Sequence, residues 1–168
     1  FFTLREAILL PRPARPGGPP ILIGGNGPRQ TLPLVARYAD IWNGLNLSPD
    51  EFRDRCATLD TLLTAAGRPT TAVRRTLMLS TYFGRDTSAL ERKLAWRERD
   101  PDLASKPLDV VIAALQARHN DLVGTPDLVA ARIREYAAAG ADEIMLQWFD
   151  QDDLDGLRAF AETVPPLL

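Results

Sequence analysis

Short runs of apolar residues recur along the chain, and longer segments with helical spacing separate them. Four of these runs are rich in bulky or β-branched apolar residues and are bounded by glycine, proline or charged residues. This pattern is typical of buried strands. The runs predict strands at residues 20–24, 39–43, 73–83 and 142–148.

The segments between the runs carry apolar residues three and four positions apart, which predicts amphipathic helices. One of them opens with Ser48-Pro49-Asp50-Glu51, the residue order of a capping box with proline at the first helical position. Strands and helices alternate four times, which predicts an α/β fold of four parallel strands with right-handed crossovers. Four such units form either a small open sheet or half of an eightfold barrel. The helices are predicted at about residues 29–38, 48–67, 107–118, 125–140 and 151–163, with a shorter one around residues 90–96.

Residues 1–19 form a proline-rich lead-in to the first predicted strand. Proline fixes its own φ and disfavours the helical region for the residue before it, so residues 11–20 are expected to be extended. The chain begins with Phe1 rather than methionine. We therefore expect it to be the C-terminal piece of a longer protein or a truncated gene product. Within it, residues 1–168 are predicted to form a single domain, with four strand–helix units in residues 20–168.

Composition narrows the classes of partner. The chain has 168 residues and a net charge of −2, so no global field favours nucleic acid or an anionic membrane. No apolar run approaches the ~20 residues of a membrane-spanning helix. Cys56 is the only cysteine, which excludes an internal disulfide and favours a reducing cytoplasm. A small-molecule partner is therefore expected, without nucleic acid or membrane.

The most distinctive stretch follows the first predicted strand. Two glycines end the strand, and a polar residue, a third glycine, Pro28 and Arg29 precede a helix start. Glycines allow a phosphate to approach the backbone closely, and helix N-termini carry free N–H groups and the positive end of the helix dipole. Arg29 adds a planar fork that suits phosphate oxygens. The stretch predicts a phosphate-binding turn, and a plain tight turn is the alternative, because short Gly-rich turns are weak motifs.

The other candidates for chemistry have simpler structural explanations. Cys56 and Trp42 occupy apolar positions that favour the core, and His119 lies near a predicted helix end. The acidic cluster at the start of the last helix suits the positive end of the helix dipole better than a metal ion. No catalytic triad or metal-ligand spacing is present, so no metal is expected and the catalytic residues stay unassigned. The acidic cluster consists of Asp150, Asp152 and Asp153.

Three stretches, taken together in their order and spacing, resemble a known family. They are residues 20–43 with the Gly-rich turn, Ala66-Gly67-Arg68-Pro69, and residues 122–143 with the sequence Leu-Val-Gly-Thr-Pro-Asp at their start. The stretches resemble the C-terminal half of the luciferase-like monooxygenase family, and the nearest branch is its deazaflavin-dependent oxidoreductases, which use coenzyme F-420. The resemblance covers roughly residues 10–165, and the first stretch is the most specific.

The resemblance implies a fold and a set of site residues. Members are TIM-type (β/α)8 barrels, and this chain would supply the fifth to eighth strands. The family's turn after the fifth strand grips the cofactor phosphate. Asn43, after the second predicted strand, and Gln147 and Trp148, at the end of the last one, would face the substrate pocket at the barrel mouth. Cofactor binding is carried over to Gly24, Gly25, Asn26, Gly27, Pro28, Arg29 and Thr31.

The resemblance also implies an activity. A hydride would pass between a reduced deazaflavin or flavin and a small organic substrate, with flavin-type monooxygenation in the same range of reactions. Coenzyme F-420 is the expected cofactor and FMN is the alternative. Because the first four strands are missing, the chain alone is expected to be inactive or to close a barrel as a homodimer. The alternative function is a truncated, non-catalytic α/β remnant or association module.

Overall fold

The computed structural model describes residue 3, residues 5–8 and residues 10–168, so part of the predicted lead-in lies outside the described residues. The predicted parallel α/β architecture is confirmed. The strands are β1 (Leu22–Gly24), β2 (Ile41–Leu45), β3 (Arg74–Phe83), β4 (Leu122–Gly124) and β5 (Glu143–Trp148). The helices are α1 (Thr31–Tyr38), α2 (Pro49–Ala65), α3 (Thr87–Lys93), α4 (Leu108–His119), α5 (Pro126–Ala138) and α6 (Leu154–Thr163), with 3-10 turns at Thr70–Ala72, Ala95–Arg99 and Pro165–Leu167.

Strand β3 is the centre of the sheet and pairs with three other strands. Its first half pairs with β2, its middle pairs with β5, and its last three residues pair with β4. Thr81 is paired with Leu122 of β4 and with Trp148 of β5, so these two strands lie on opposite edges of β3. Strands β2 and β4 therefore pair with the same edge of β3, β2 near its start and β4 at its end. Strand β1 pairs with the other edge of β2.

The prediction of four strands was incomplete, because the described residues form five. The additional strand, β4, is only three residues long. Its three residues are all buried, and it pairs in parallel with Thr81–Phe83 of β3. A strand this short shows no alternation of polar and apolar positions, which is the feature that identifies a strand in a sequence.

The two faces of the sheet have different environments. Successive side chains of a strand point to opposite faces, and Leu77, Leu79 and Phe83 of β3 pack on α1, α2, α5 and α6 in the main core. The opposite face, which we call the inner face, carries a polar and apolar mixture from three strands. It consists of Asn43 and Leu45 of β2, Thr76, Met78, Ser80 and Tyr82 of β3, and Met145 and Gln147 of β5.

The inner face is only partly covered. Leu22 of β1 is 45% exposed and Leu45 of β2 is 38% exposed. Apolar side chains at these positions would be buried in a closed barrel, because inward-pointing residues fill its interior. The sheet in this chain is therefore an open one whose inner side lacks a covering layer among the described residues.

A second, smaller core covers the far end of the inner face. It is formed by the excursion between β3 and β4, with Leu90 of α3, Val111 and Leu115 of α4 and Val123 of β4, and Tyr82 packs against it. Helix α4 ends at Asn120, which takes the left-handed conformation common at helix C-caps. The predicted helices 90–96 and 107–118 are confirmed with shifted boundaries.

The helix termini agree with the capping signals in the sequence. In α2, Ser48 accepts a hydrogen bond from the Glu51 backbone N–H, and Glu51 accepts one from the Ser48 N–H, which forms the predicted capping box. The C-terminus of α1 is held from outside: the Arg68 guanidinium donates to the carbonyl oxygens of Ala36 and Ala39 at 2.9 and 2.8 Å. Among the described residues, no helix is long and apolar enough to cross a membrane.

Candidate cofactor turn and inner-face site

The Gly-rich turn between β1 and α1 is fixed to β2 by hydrogen bonds. The Gly25 N–H donates to the Asn43 carbonyl at 2.9 Å, which extends the ladder of β1 by one residue. The Trp42 indole Nε1 donates to the Gly25 carbonyl at 2.9 Å. Trp42 is fully buried as predicted, and its ring stacks on Phe52 of α2 at 5.1 Å between centroids. The turn is therefore anchored in the main core.

Asn26 uses its side chain to hold the turn rather than to face solvent. Its amide Nδ2 donates to the Leu45 carbonyl at 2.8 Å, and its Oδ1 accepts from the Leu45 N–H at 2.9 Å. This pair of bonds imitates a further strand residue beside β2. The Arg55 Nε donates to the Asn26 carbonyl at 3.1 Å. Asn26 was predicted to bind the cofactor, and the structure places its amide as a support of the turn.

The backbone at Gly25 and Gly27 passes close to the Thr31 side chain. Gly25 has φ +126°, which side chains other than glycine rarely adopt. A Cβ added at Gly27 would lie 3.0 Å from Thr31 Oγ1, a contact tight enough that the Thr31 side chain would have to shift. Within the described chain, the backbone N–H groups of Gly27, Arg29 and Gln30 donate to no backbone carbonyl. Backbone N–H groups without partners at the start of a helix are suitable hydrogen-bond donors for a phosphate, and the helix dipole favours its negative charge.

Arg29 and Thr31 stand at the open side of this turn. Arg29 is exposed, and Thr31 is the first residue of α1, which has no side-chain cap at its N-terminus. The turn and Gln147 lie at the same end of the sheet, because all five strands are parallel and both follow or end a strand. The residues present thus fit an anionic group: a glycine cradle, uncommitted N–H donors and one free guanidinium.

Asn43 was predicted to follow the second strand, and this position is wrong, although its side chain does lie on the inner face. Asn43 lies inside β2 rather than after it, because β2 runs on to Leu45 and pairs with β3 through Met78. The side chain is buried, and its Oδ1 accepts from the Thr76 hydroxyl at 2.9 Å. Asn43 therefore lines the inner face below the mouth.

Gln147 and Trp148 do not face the same side of the sheet. Gln147 is exposed on the inner face, where the Ser80 hydroxyl donates to its Oε1 at 3.3 Å. Trp148, one residue further, points to the helices and contacts Phe83 and Phe160 in the main core. The two side chains lie on opposite faces because adjacent strand residues alternate, and Trp148 also lines the open cleft beyond the ends of β3 and β5. The period-two pattern Ile144, Leu146, Trp148 already separates them in the sequence.

Sequence reasoning missed a buried carboxylate beside Ser80. Asp121 is 3% exposed and directly precedes β4. Burial raises the pKa of the Asp121 carboxyl above its ordinary value, and the charge of His119 and the hydroxyl of Ser80 oppose that rise. Burial and the Asp121 charge also raise the pKa of Tyr82. An acidic residue between a helix end and an apolar pair was the only signal in the sequence, and it does not reveal burial.

An open cleft of about 900 Å³ lies beyond the ends of β3 and β5, between α3 and α6. Its aromatic side is formed by Tyr82, whose ring lies 5.8 Å from Trp96 and 5.9 Å from Phe149. Phe149 is 55% exposed. These exposed rings provide apolar contact area at the same end of the sheet as the Gly-rich turn.

Lys93 links the two walls of the cleft. Its ammonium lies 2.7 Å from carboxylate oxygens of Asp150 and of Asp153, which caps α6 through the Gly156 N–H. Burial would lower the pKa of Lys93, but the two carboxylates outweigh it and raise the pKa. The acidic cluster thus serves helix capping and an ion pair. Among the described residues, no group of three or more His, Cys, Asp or Glu side chains is placed to hold a metal ion.

Cys56 is a core residue, as predicted. It lies on the buried side of α2, and burial raises the pKa of the thiol to about 11. A thiol with that pKa is protonated at neutral pH and is a poor nucleophile.

Parallel strands that alternate with helices, with a Gly-rich turn after the first strand, define part of a (β/α)8-type barrel. Residues 1–143 match the model of the luciferase-like monooxygenase family, and the chain belongs to that family. No curated protein sequence matches the chain.

Solved structures show the same fold. The chain is similar to a coenzyme F-420-dependent tetrahydromethanopterin reductase from Methanopyrus kandleri, with 17% identity, 88% of this chain and 50% of that chain covered, and a TM-score of 0.63. It is similar to an F-420-dependent secondary alcohol dehydrogenase, with 19% identity, 100% and 54% covered, and a TM-score of 0.70. It is also similar to an EDTA monooxygenase from Chelativorans sp. BNC1, with 20% identity, 91% and 47% covered, and a TM-score of 0.70. The chain spans about half the length of these proteins.

Proposed function

We propose that this chain is the cofactor-phosphate half of an oxidoreductase that moves a hydride between a deazaflavin or flavin and a small organic substrate. Family membership supports the oxidoreductase class. The rigid turn at residues 24–31, with its free N–H groups and Arg29, is the observation that carries the assignment.

The phosphate would be held by the N–H groups of Gly27, Arg29 and Gln30, together with the Arg29 guanidinium and the Thr31 hydroxyl. Gly25 and Gly27 would supply close approach, and Asn26 would hold the shape of the turn. When bound, the cofactor supplies the hydride chemistry, and the protein's part is to fix the ring and exclude water. The inner-face residues, among them Gln147 and Asn43, would lie on the side where the ring meets the substrate.

Coenzyme F-420 is the cofactor we favour, and FMN is the alternative. Both present a phosphate to the same turn, so the turn does not distinguish them. Two of the similar structures are coenzyme F-420-dependent enzymes, and another, a riboflavin lyase, holds a modified FMN. The aromatic cleft of Tyr82, Trp96 and Phe149 suits an apolar substrate or an apolar part of one.

The open inner face requires a cover for this function. We propose that four preceding strand–helix units of a longer polypeptide supply it, since the similar structures are about twice as long as this chain. A second copy of this chain is the other possible cover. Sedimentation of the 168-residue chain separates them: a stable dimer with ligand affinity favours closure by a copy, and a monomer without affinity favours closure in a longer chain or an association module.

A fluorescence titration of the longest natural polypeptide with coenzyme F-420, FMN and riboflavin tests the proposal. We expect tight binding of one phosphorylated cofactor and weaker binding of riboflavin, which lacks the phosphate. Equal affinity for FMN and riboflavin would contradict the role of the turn, and failure to bind any of the three would overturn the proposed function.

A further inference from the structure

Three polar side chains lie side by side on the inner face: one on β3, one on β5 and one directly before β4. In the sheet register, Ser80 of β3 is directly paired with Gln147 of β5. On the other edge of β3, Thr81 pairs with Leu122, which brings Asp121 beside Ser80 on the face opposite to Leu122. The order across the sheet is therefore Asp121, Ser80, Gln147, with the serine between an acid and an amide.

The position of this group is fixed by neighbouring backbone contacts. The Ser80 N–H donates to Asn46 Oδ1 at 3.2 Å, and Asn120 Nδ2 donates to the Asn46 carbonyl at 2.9 Å. These bonds tie the end of β2, the middle of β3 and the end of α4 together. Asp121 is almost fully buried, whereas Gln147 is exposed on the inner face. The group therefore connects a buried acid to the open side of the sheet.

The charged and titratable groups that face Asp121 are few. His119 comes from the end of α4, and Tyr82 comes from β3; Ser80 is the neutral partner. Strand β5 contributes the neutral amide of Gln147 and the loop after β2 contributes the neutral amide of Asn46. Protonation of Asp121 is thus governed by burial, His119 and Ser80, and no lysine or arginine of these elements neutralises it.

The hydroxyl of Ser80 has one proton to donate, and this makes the group a two-state device. With Asp121 ionised, its carboxylate is the stronger acceptor and accepts the hydrogen bond from the Ser80 hydroxyl. The oxygen of Ser80 is then left as an acceptor for Gln147, which favours the amide with Nε2 toward Ser80. With Asp121 protonated, the acid can donate to the Ser80 oxygen, and Ser80 then donates to Gln147 Oε1; this second bond is present in the structure at 3.3 Å.

We propose that Asp121 is a positioning residue of the barrel mouth, which acts through Ser80 to decide whether the Gln147 amide offers its N–H donor or its carbonyl acceptor to the inner face. The proposal rests on the proposed function, because it gives the amide a bound ring or substrate to address. A proton on Asp121 turns the donor end of Gln147 toward the mouth, and loss of that proton turns the acceptor end there. The site would then favour an acceptor group at lower pH and a donor group at higher pH.

The test follows the side-chain amide of Gln147 by 1H–15N NMR in the longest natural polypeptide without cofactor, across a pH series. We expect its signals to shift with a midpoint above the ordinary value of 3.8 for an aspartate. The shift is lost in Asp121→Asn and in Ser80→Ala. Asp54→Asn, an exposed acid on α2, is the matched control and leaves the titration unchanged. Gln147→Ala assigns the signals.

The outcomes separate this inference from the proposed function. A Gln147 titration that persists in both Asp121→Asn and Ser80→Ala, or no titration in the parent, overturns the inference. If Asp121→Asn does not fold, Ser80→Ala decides alone. If the parent titrates as expected but binds no phosphorylated cofactor, the proposed function fails while the device stands. If both hold, the pH dependence of the substrate KM, with kcat unchanged, follows the same midpoint and is lost in Asp121→Asn.

Discussion

The turn after β1 and the cleft beyond the ends of β3 and β5 are held in place by different kinds of contact. Five hydrogen bonds join the turn to β2 and α2, among them those of the Asn26 and Trp42 side chains. The other region is held by ion pairs of Lys93 and by an exposed aromatic side that ends in Phe149. The turn is fixed by hydrogen bonds and presents backbone N–H groups to a ligand. The cleft is open and presents exposed aromatic rings.

This difference matches what each region would contact. A phosphate is the constant part of a cofactor, so a fixed cradle of N–H groups suits it. A substrate varies between members of a family, and adjustable side chains on loops suit it. The comparison therefore predicts that substitutions in the turn change cofactor binding and stability, while substitutions around the cleft change substrate kinetics. Four substitutions test it, in order of decreasing effect.

Asn26→Ala should have the largest effect. It removes two hydrogen bonds to the Leu45 backbone and leaves that N–H and carbonyl without partners. We expect the free energy of unfolding to fall by about 1–3 kcal/mol and cofactor affinity to fall with it. Chemical denaturation and cofactor titration measure both. Gln30→Ala, an exposed residue of the same turn without a capping bond, is the control and should change neither.

Arg29→Ala should weaken cofactor binding without loss of stability. An exposed guanidinium that bonds a phosphate contributes about 1.5–3 kcal/mol, which corresponds to roughly 10–150-fold in Kd. The unfolding free energy should change by less than about 0.5 kcal/mol. Arg37→Ala, an exposed arginine at the other end of α1, is the control. Equal affinity of Arg29→Ala and the parent would show that the guanidinium does not contact the phosphate.

Lys93→Met should affect the cleft alone. It keeps most of the aliphatic length and removes the ion pairs with Asp150 and Asp153, both of which are partly exposed. Stability should fall by no more than about 1 kcal/mol. Substrate KM should change while the cofactor Kd stays constant, as steady-state kinetics and titration can show. A large change in cofactor Kd would remove the distinction between the two regions.

Asp121→Asn should have the smallest effect at any one pH and a characteristic dependence on pH. Burial raises the pKa of Asp121 in the folded state, so the folded protein binds a proton that the unfolded chain has released. The resulting stabilisation is complete below the unfolded pKa near 3.8 and is lost as pH rises through the folded pKa. The variant lacks this decline. Urea denaturation at several pH values measures it, and parallel curves for parent and variant would contradict the buried position of the acid.

The helices and long strands were predictable because their signals are local. The capping box at Ser48 and Glu51 and the apolar spacing of α2 are properties of a few neighbouring residues. The strand β4 was not predictable, because its three residues become a strand only through pairing with the end of β3. The same holds for the length of β2, whose last residues are fixed by partners more than thirty positions away in the sequence.

The candidate site was predictable only where backbone conformation matters. Glycines at Gly25 and Gly27 indicate a turn in any context, whereas the use of the Asn26 amide depends on where Leu45 lies. Burial of Asp121 depends on the excursion that folds over it, and a sequence pattern does not carry that information. Strand alternation in the sequence already places Trp148 on the face of β5 opposite to Gln147, whereas the resemblance to the family grouped the two residues.

Arg68 gives the cofactor turn a dependence on a distant residue. It neutralises the carbonyl end of α1, a helix of eight residues and therefore about 12 Å long, whose opposite end begins the turn. Without that guanidinium the last carbonyls of the helix would lose their partners and the helix would fray toward its start. If the turn holds an anion as proposed, its affinity would depend on the segment between α2 and β3, so sequence changes near residue 68 would alter binding without altering a contact with the ligand.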